Sequence, residues 1–408
     1  MDTVETANTA RGRRRSTQRP RNRKAQLAAV AAELFCARGY HEVGITDIAA
    51  AAGVTGPALY RHFSDKQAIL AHVVLSGIDE LIATTQRALD DADKPAPDQV
   101  DALLERLAAM SVDHRDVASL WRWERRNLSP EHQREVRRRS SMLIGRWSTT
   151  LRTLRPELDE RDADLLCWAT LSVFGSTAVH STRIAKRRYT KLLIACARAV
   201  LHTTLPTSRG LTTTQEAARE SAFLRTTRKD ELITAASTLF QDRGFHDVSM
   251  EDIGSAAGIS GPSVYRHFPS KAALFMAAAQ RIAQQLEFGR LAVARTASSE
   301  SDALHGLIAS YIETMASSAD LMTASSQVSA LSDANRAELK RVQRDYVAEW
   351  THLLRKVRPE LGTVEARVVV HMALTIANDV IHTGRLAGRP NLHAELATIM
   401  AVALGLPS

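Results

Sequence analysis

Apolar side chains at Leu27, Val30, Ala31, Leu34 and Phe35 mark one stripe of a helix, and Leu232, Ile233, Ala236, Leu239 and Phe240 mark the same stripe again. Each stripe runs into a glycine, Gly39 or Gly244, the residue that ends a helix in left-handed backbone at least cost. The first helix is predicted over Arg23–Arg38. A short second helix follows over Ile48–Ala52, and over Ile253–Ala257 in the later copy. Ser249 is placed to cap the later one, with Asp252 three residues on completing a capping box, whereas Gly44 is a weaker cap for the earlier one. A third helix begins at Thr55 or Ser260, both good amino-terminal caps. It runs through Gly-Pro, where proline in the first turn gives up no needed hydrogen bond, and ends near Phe63 or Phe268. Lys66 and Lys271 then open a fourth helix.

The recurrence extends through the whole chain. Arg38-Gly39-Tyr40-His41 returns as Arg243-Gly244-Phe245-His246, and Tyr60-Arg61-His62-Phe63 returns as Tyr265-Arg266-His267-Phe268, both displaced by 205 positions. Trp147 with Arg155-Pro156-Glu157-Leu158 returns as Trp350 with Arg358-Pro359-Glu360-Leu361 at a displacement of 203, and His180 returns as His382 at 202. A period of this length is a duplicated domain pair and not a solenoid. The join falls around Pro206–Ser221, where Pro, Thr, Ser and Gly replace the apolar periodicity. The expected organisation is a basic arm over 1–22, a helix-turn-helix domain over 23–70 and a helical regulatory domain over 71–205. A linker over 206–224, a second helix-turn-helix domain over 225–275 and a second regulatory domain over 276–408 complete it.

Composition narrows the class. At 408 residues, 45% hydrophobic and only 5% aromatic, the chain has material for two or more cores, and its Ala, Leu, Arg and Glu favour helices over strands. An all-α fold follows. No stretch holds the roughly 18–20 uncharged apolar residues of a membrane span, and no apolar signal-peptide core is seen, so a cytoplasmic protein is expected. Cys36, Cys167 and Cys196 share no metal-ligand spacing and fall in apolar helical patterns, as core residues do. A formal charge of +8 points to a polyanion without saying which.

The small residues and turn glycine of Ala51-Ala52-Gly53-Val54 and Ala256-Ala257-Gly258-Ile259 let two helices cross closely, the helix-turn-helix pattern. Tyr, Arg and His one turn into the third helix suit phosphates or base edges in a major groove. A lysine at the start of the next helix opposes the helix dipole, which an external anion would relieve. This run, from Ile48-Ala49 through Ala52-Gly53-Val54-Thr55-Gly56-Pro57 to Leu59-Tyr60-Arg61-His62-Phe63 and Lys66, closely resembles the DNA-binding domain of the TetR family, and the second unit repeats it. The resemblance covers about sixty residues of each unit. It implies phosphate contacts from Thr55, Tyr60, His62 and Lys66, and from Ser260, Tyr265, His267 and Lys271. Ala58 and Arg61, with Ser263 and Arg266, would face bases, and Gly56-Pro57 and Gly261-Pro262 belong to the same surface. Gly254 departs from the alanine at Ala49. Phe63 and Phe268 follow the apolar face and are read as core. Arg11, Arg13, Arg14, Arg15, Arg19, Arg21, Arg23 and Lys24 crowd an aperiodic arm suited to a minor groove or to phosphates.

The remaining helices carry no catalytic signature, so no enzyme, cofactor or metal site is expected. By the resemblance, they bind a small effector and close a four-helix dimer bundle from Asp162–Ser181 with Thr190–Leu201, and Val364–Thr383 with Leu392–Ala403. The simplest assembly pairs the two units of one chain, and a homodimer of chains is the alternative. His180 and His382 would then face each other. Trp121, Arg122 and Arg125, with Trp147 and Trp168, suit a pocket for an apolar molecule with an anionic head, such as an acyl-coenzyme A, and fit equally a helix with Trp inside and Arg outside. The function expected is an effector-released repressor of a near-palindromic operator, and the alternative is an architectural protein that coats DNA with little sequence choice.

Overall fold

The computed structural model describes residues 23–91, 93–115, 118–120, 127–206, 227–318 and 331–407, and every regular element among them is helical. The basic arm before Arg23, the linker beyond Pro206, Trp121, Arg122 and Arg125 lie outside the described residues.

The first unit contains α1 (Arg23–Arg38), α2 (Ile45–Ala51), α3 (Gly56–Tyr60), α4 (Lys66–Leu89), α5 (Ala96–Asp113), α6 (Pro130–Leu154), α7 (Glu160–Gly175) and α8 (Lys186–Leu201). The second repeats them as α9 (Arg228–Arg243), α10 (Met250–Ala256), α11 (Gly261–Val264), α12 (Lys271–Thr296), α13 (Glu300–Ser317), α14 (Asp333–Val357) and α15 (Thr363–Ile381). A short α16 (Gly384–Ala387) is inserted before α17 (Leu392–Leu404).

Local chemistry explains most of the boundaries. Gly39 and Gly244 end the first helices at φ of 85° and 86°, and Gly53 and Gly258 turn the chain between second and third helices at 63° and 69°, backbone that side chains resist. Ser249 caps α10 in a reciprocal box with Asp252, the hydroxyl accepting from Asp252 N at 3.0 Å and the carboxylate from Ser249 N at 2.8 Å. At Gly44 only half of that box forms, the backbone N–H donating to Asp47 Oδ2 at 2.7 Å. Thr55 and Ser260 occupy the N-cap positions of α3 and α11 without a side-chain bond to a backbone N–H of the helix, contrary to the capping role expected of them. The hydroxyl of Ser260 engages Ser263 Oγ at 2.8 Å instead.

The Arg-Pro-Glu-Leu repeat has a structural explanation. Arg155 Nη1 donates to the carbonyls of Leu201 and Thr203 at 2.7 and 3.0 Å, and Arg358 Nη1 to that of Leu404 at 3.1 Å. A guanidinium thus satisfies orphan carbonyls at the carboxyl end of each unit's last helix, where positive charge also complements the dipole.

The two units fold onto each other. Helices α7 and α8 pack on α15 and α17, so the four-helix bundle expected between copies closes inside one chain. Arg389 spans the seam, bonding Asp162 of the first unit and the buried Glu395 of the second. Arg385 pairs with Asp164 at 3.0 Å, and Arg188 pairs with Glu365. His180 stacks on His371 with centroids 4.6 Å apart, so its partner is not His382, which bonds Asn378 O on its own helix. The repeat displacement is 203 through this region, which aligns His180 with Thr383 and Trp168 with His371. Helix α4 is long and apolar enough by composition to cross a membrane, yet it packs Ile69, Leu70, Val74 and Ile78 against α1, α5 and α6. Cys167 and Cys196 are buried as expected, and Cys36 is exposed, a correction to its reading as core.

Candidate nucleic-acid interface and effector cavity

In both units the third helix sits on an apolar base and turns a polar face outward. Leu59 and Val264 are fully buried, and Phe63 and Phe268 are 4% and 8% exposed, anchoring the helix from below. The adjacent Tyr60 and Tyr265 remain 55% and 52% exposed. Arg61, His62 and Arg266 are exposed as well, His267 is half-buried, and Thr55, Pro57, Ser260 and Pro262 are exposed. Ala58, Ser263 and Gly56 are partly covered, and Gly261 is buried against Glu251. A phenol exposed beside an arginine and a histidine, twice, is hard to assign to packing, since apolar area left in water forgoes about 25 cal/mol per Å².

The lysines behave differently from expectation. Lys66 Nζ donates to Tyr40 O at 2.8 Å and lies over the Tyr40 ring at 4.3 Å; Lys271 Nζ donates to His246 O and Val248 O at 3.2 and 2.7 Å and lies over Phe245 at 4.5 Å. Turn carbonyls and an aromatic face therefore offset the unfavourable helix-end charge, the work assigned above to an external anion. Burial lowers the pKa of Lys271, with Asp247 and Asp252 opposing the shift. Arg23 and Lys24, placed in the basic arm from sequence, are also tied to the folded domain. Arg23 donates to Ala52 O at 3.3 Å, as Arg228 does to Ala257 O at 3.1 Å, and Lys24 lies over Phe63.

The two helix-turn-helix domains touch. His41 and His246, equivalent positions, stack with centroids 4.0 Å apart. Burial holds both below the usual histidine pKa, and His41 also meets Asn127 Oδ1 at 3.1 Å.

Behind the first of these domains lies a cavity of about 620 Å³. Ile78, Leu107, Met110, Val136, Leu143 and Phe174 supply its apolar wall, and Ser111, Ser140 and Ser172 are polar points on it. Trp168 lines it, its Nε1 buried without an acceptor and its ring beneath Arg385 at 5.6 Å. Trp147 does not. It is 5% exposed and donates to Thr85 Oγ1 at 3.0 Å, which makes it a core residue and corrects its placement in the pocket. Gln241, Asp242 and residues 378–385 of the second unit complete the described wall, a contribution invisible in either unit's sequence alone.

Among the described residues, the matching positions of the second unit carry larger side chains. Where the first unit has Leu107, Leu143 and Gly175, the second has Tyr311, Tyr346 and Asn378. Tyr311 and Tyr346 pack with Trp350, ring centroids about 6 Å apart, and the Tyr311 hydroxyl donates to Asn378 Oδ1 at 2.9 Å. Among the described residues no three His, Cys, Asp or Glu side chains converge as metal ligands would.

These features define a tandem helix-turn-helix protein with an attached helical bundle. Residues 27–73 and 232–278 each match the model for bacterial regulatory proteins of the tetR family, so the chain carries that family's amino-terminal domain twice in tandem. The activator FasR of Mycolicibacterium smegmatis is 42% identical over 81 residues, 20% of this chain and 37% of FasR. The repressor KstR2 of the same organism is 28% identical over 147 residues, 34% of this chain and 71% of KstR2. The chain thus spans little more than a third of FasR's length and under three quarters of KstR2's. Among solved structures, the TetR-family regulator PfmR of Thermus thermophilus aligns over 46% of this chain and 99% of its own at 23% identity, with a TM-score of 0.39.

Proposed function

We propose that the chain is a sequence-specific transcriptional regulator that acts as a repressor, released from a near-palindromic operator by a small-molecule effector. The observation that carries this reading is the pairing, within one folded chain, of two outward-facing Tyr-Arg-His triplets with an internal cavity. Tyr60, Arg61 and His62 act with Tyr265, Arg266 and His267 on two successive major-groove faces, Arg61 and Arg266 toward bases and the others toward phosphates. Thr55 and Ser260, whose hydroxyls are not spent on capping, add phosphate contacts. Lys66 and Lys271 contribute charge to the same surface from their seats on the turn carbonyls. Support for the effector comes from the cavity, whose volume falls within the roughly 300–1,000 Å³ typical of small-molecule sites.

Selection from random duplexes followed by footprinting tests the reading. One discrete site of about 15–25 base pairs is expected, with affinity falling about a hundredfold or more when Tyr60, Arg61 and His62 are replaced together by alanine. Unchanged affinity in that variant overturns the assignment. Uniform coating without sequence preference supports instead an architectural DNA-binding protein.

A further inference from the structure

The first unit's cavity is not closed by the first unit. Its walls come from three bodies: α4 to α7 of the first unit, the end of α9 in the second helix-turn-helix domain (Gln241, Asp242), and the α15–α16 segment of the second regulatory domain. Helix α4 itself leads directly out of the first helix-turn-helix domain, so whatever fills this space touches the bodies that carry both DNA-binding surfaces.

The second unit offers no equivalent among its described residues. Tyr311, Tyr346 and Trp350 fill the matching position, and the hydroxyl of the 3% exposed Tyr311 donates to Asn378 Oδ1, while Trp350 Nε1 and Thr375 Oγ1 are buried without a partner. Opening that space means displacing packed aromatic rings, whereas the first unit's space is already open.

The charge of the described wall points to a class of ligand. Three carboxylates, Glu80, Asp242 and Asp379, face two guanidiniums, Arg137 and Arg385, and Arg385 is already paired with Asp164. Among its described residues, such a wall gives an anionic head no surplus of positive charge. Its interior is aliphatic and aromatic with isolated hydroxyls, which suits an uncharged, largely apolar molecule bearing hydrogen-bonding groups.

Resting on the effector reading above, we infer that the chain takes one ligand, not two, at this composite site, that the ligand is a neutral apolar molecule, and that it bridges the first regulatory domain to the second helix-turn-helix domain. Occupancy then sets the spacing of the two DNA-binding surfaces from an asymmetric position, through direct contact with Gln241 and Asp242.

The test uses the full chain and Nile red, a neutral apolar dye with a carbonyl acceptor, with anilinonaphthalene sulfonate as an anionic comparison. One Nile red per chain is expected, bound about tenfold or more tightly than the anion. Ser140→Trp, which fills the cavity from α6, abolishes that binding, and Leu171→Trp, which fills it from α7, is the second variant should the first unfold by circular dichroism. Spin labels at Ala50→Cys and Ser255→Cys in a Cys36→Ser chain read the spacing of α2 and α10, and saturating dye is expected to move the mean distance by about 2 Å or more. Two dyes per chain, or preference for the anion, overturns the single neutral site. One dye removed by the cavity-filling variants with no change in label distance overturns the bridge while leaving the effector cavity standing. Absence of saturable dye binding, or binding untouched by both variants, overturns the effector reading and this inference with it.

Discussion

Acidification should weaken the contact between the two units, and the His180–His371 stack sets the scale. His180 Nδ1 accepts from Thr182 N at 3.2 Å and its Nε2 meets the Tyr189 hydroxyl at 3.1 Å, an arrangement that needs the neutral ring. Burial, then the neighbouring His371, Arg115 and Arg367, lowers its pKa from 6.5 to about 3; burial and Arg367 lower that of His371 to about 4. Because both values are depressed in the folded chain, the stabilisation is full above pH 6.5 and is lost as pH falls toward the folded values. At pH 5 each imidazole of the unfolded chain takes up a proton that its folded counterpart refuses. The difference is about 1.5 pH units below 6.5, or about 2 kcal/mol per histidine and about 4 kcal/mol for the pair. Urea unfolding at pH 8 and pH 5 measures the loss, and His371→Leu isolates its share: the drop between the two pH values should shrink by about 2 kcal/mol. An undiminished drop in His371→Leu refutes the assignment of this pair as the acid-sensitive point of the seam.

Other expectations follow from single contacts. A Cβ at Gly254 would meet Ile259 O at 2.9 Å and Gly261 N and Ser260 C at 3.1 Å, all backbone, so Gly254→Ala should cost the second helix-turn-helix domain about 1–3 kcal/mol and weaken footprint protection on one half-site only. Ala49→Gly, the reverse change in the first unit, should cost no more than about 1 kcal/mol, and equal effects of the two would show that the closer approach of α10 to α11 is without consequence. Arg155→Met removes the donor to two carbonyls and should lower thermal stability by the equivalent of about 1–3 kcal/mol, more than Arg358→Met, whose guanidinium reaches the carbonyl of Leu404. Equal or absent shifts would rule out the helix-end role.

What could be read in advance was what the chain encodes locally. The stripe ending at Phe35, the Ser249–Asp252 cap and the glycine turns at Gly53 and Gly258 involve residues a few positions apart, and the repeat doubled each signal. The outward face of Tyr60-Arg61-His62 followed from the same periodicity, since Leu59 and Phe63 alternate with it as buried anchors. Features decided by distant partners were not legible. Lys66 turns back because the Tyr40 carbonyl and ring lie beneath it, and Trp147 lies in the core with its Nε1 donating to the distant Thr85. His371 and not His382 is the partner of His180 because the packing of α7 and α8 on α15, between residues far apart in the chain, decides which side chains meet. The cavity's lopsidedness was present in the sequence as Leu107 against Tyr311 and Leu143 against Tyr346, but nothing local indicated that those positions share one space.

One chain, folded upon itself through α7, α8, α15 and α17, is expected to present both of its third-helix surfaces to a single operator. Native mass spectrometry of the chain on its selected duplex tests this directly. One chain per duplex, with both half-sites protected in a matching footprint, is the predicted result; two chains per duplex, or one chain protecting a single half-site, contradicts it.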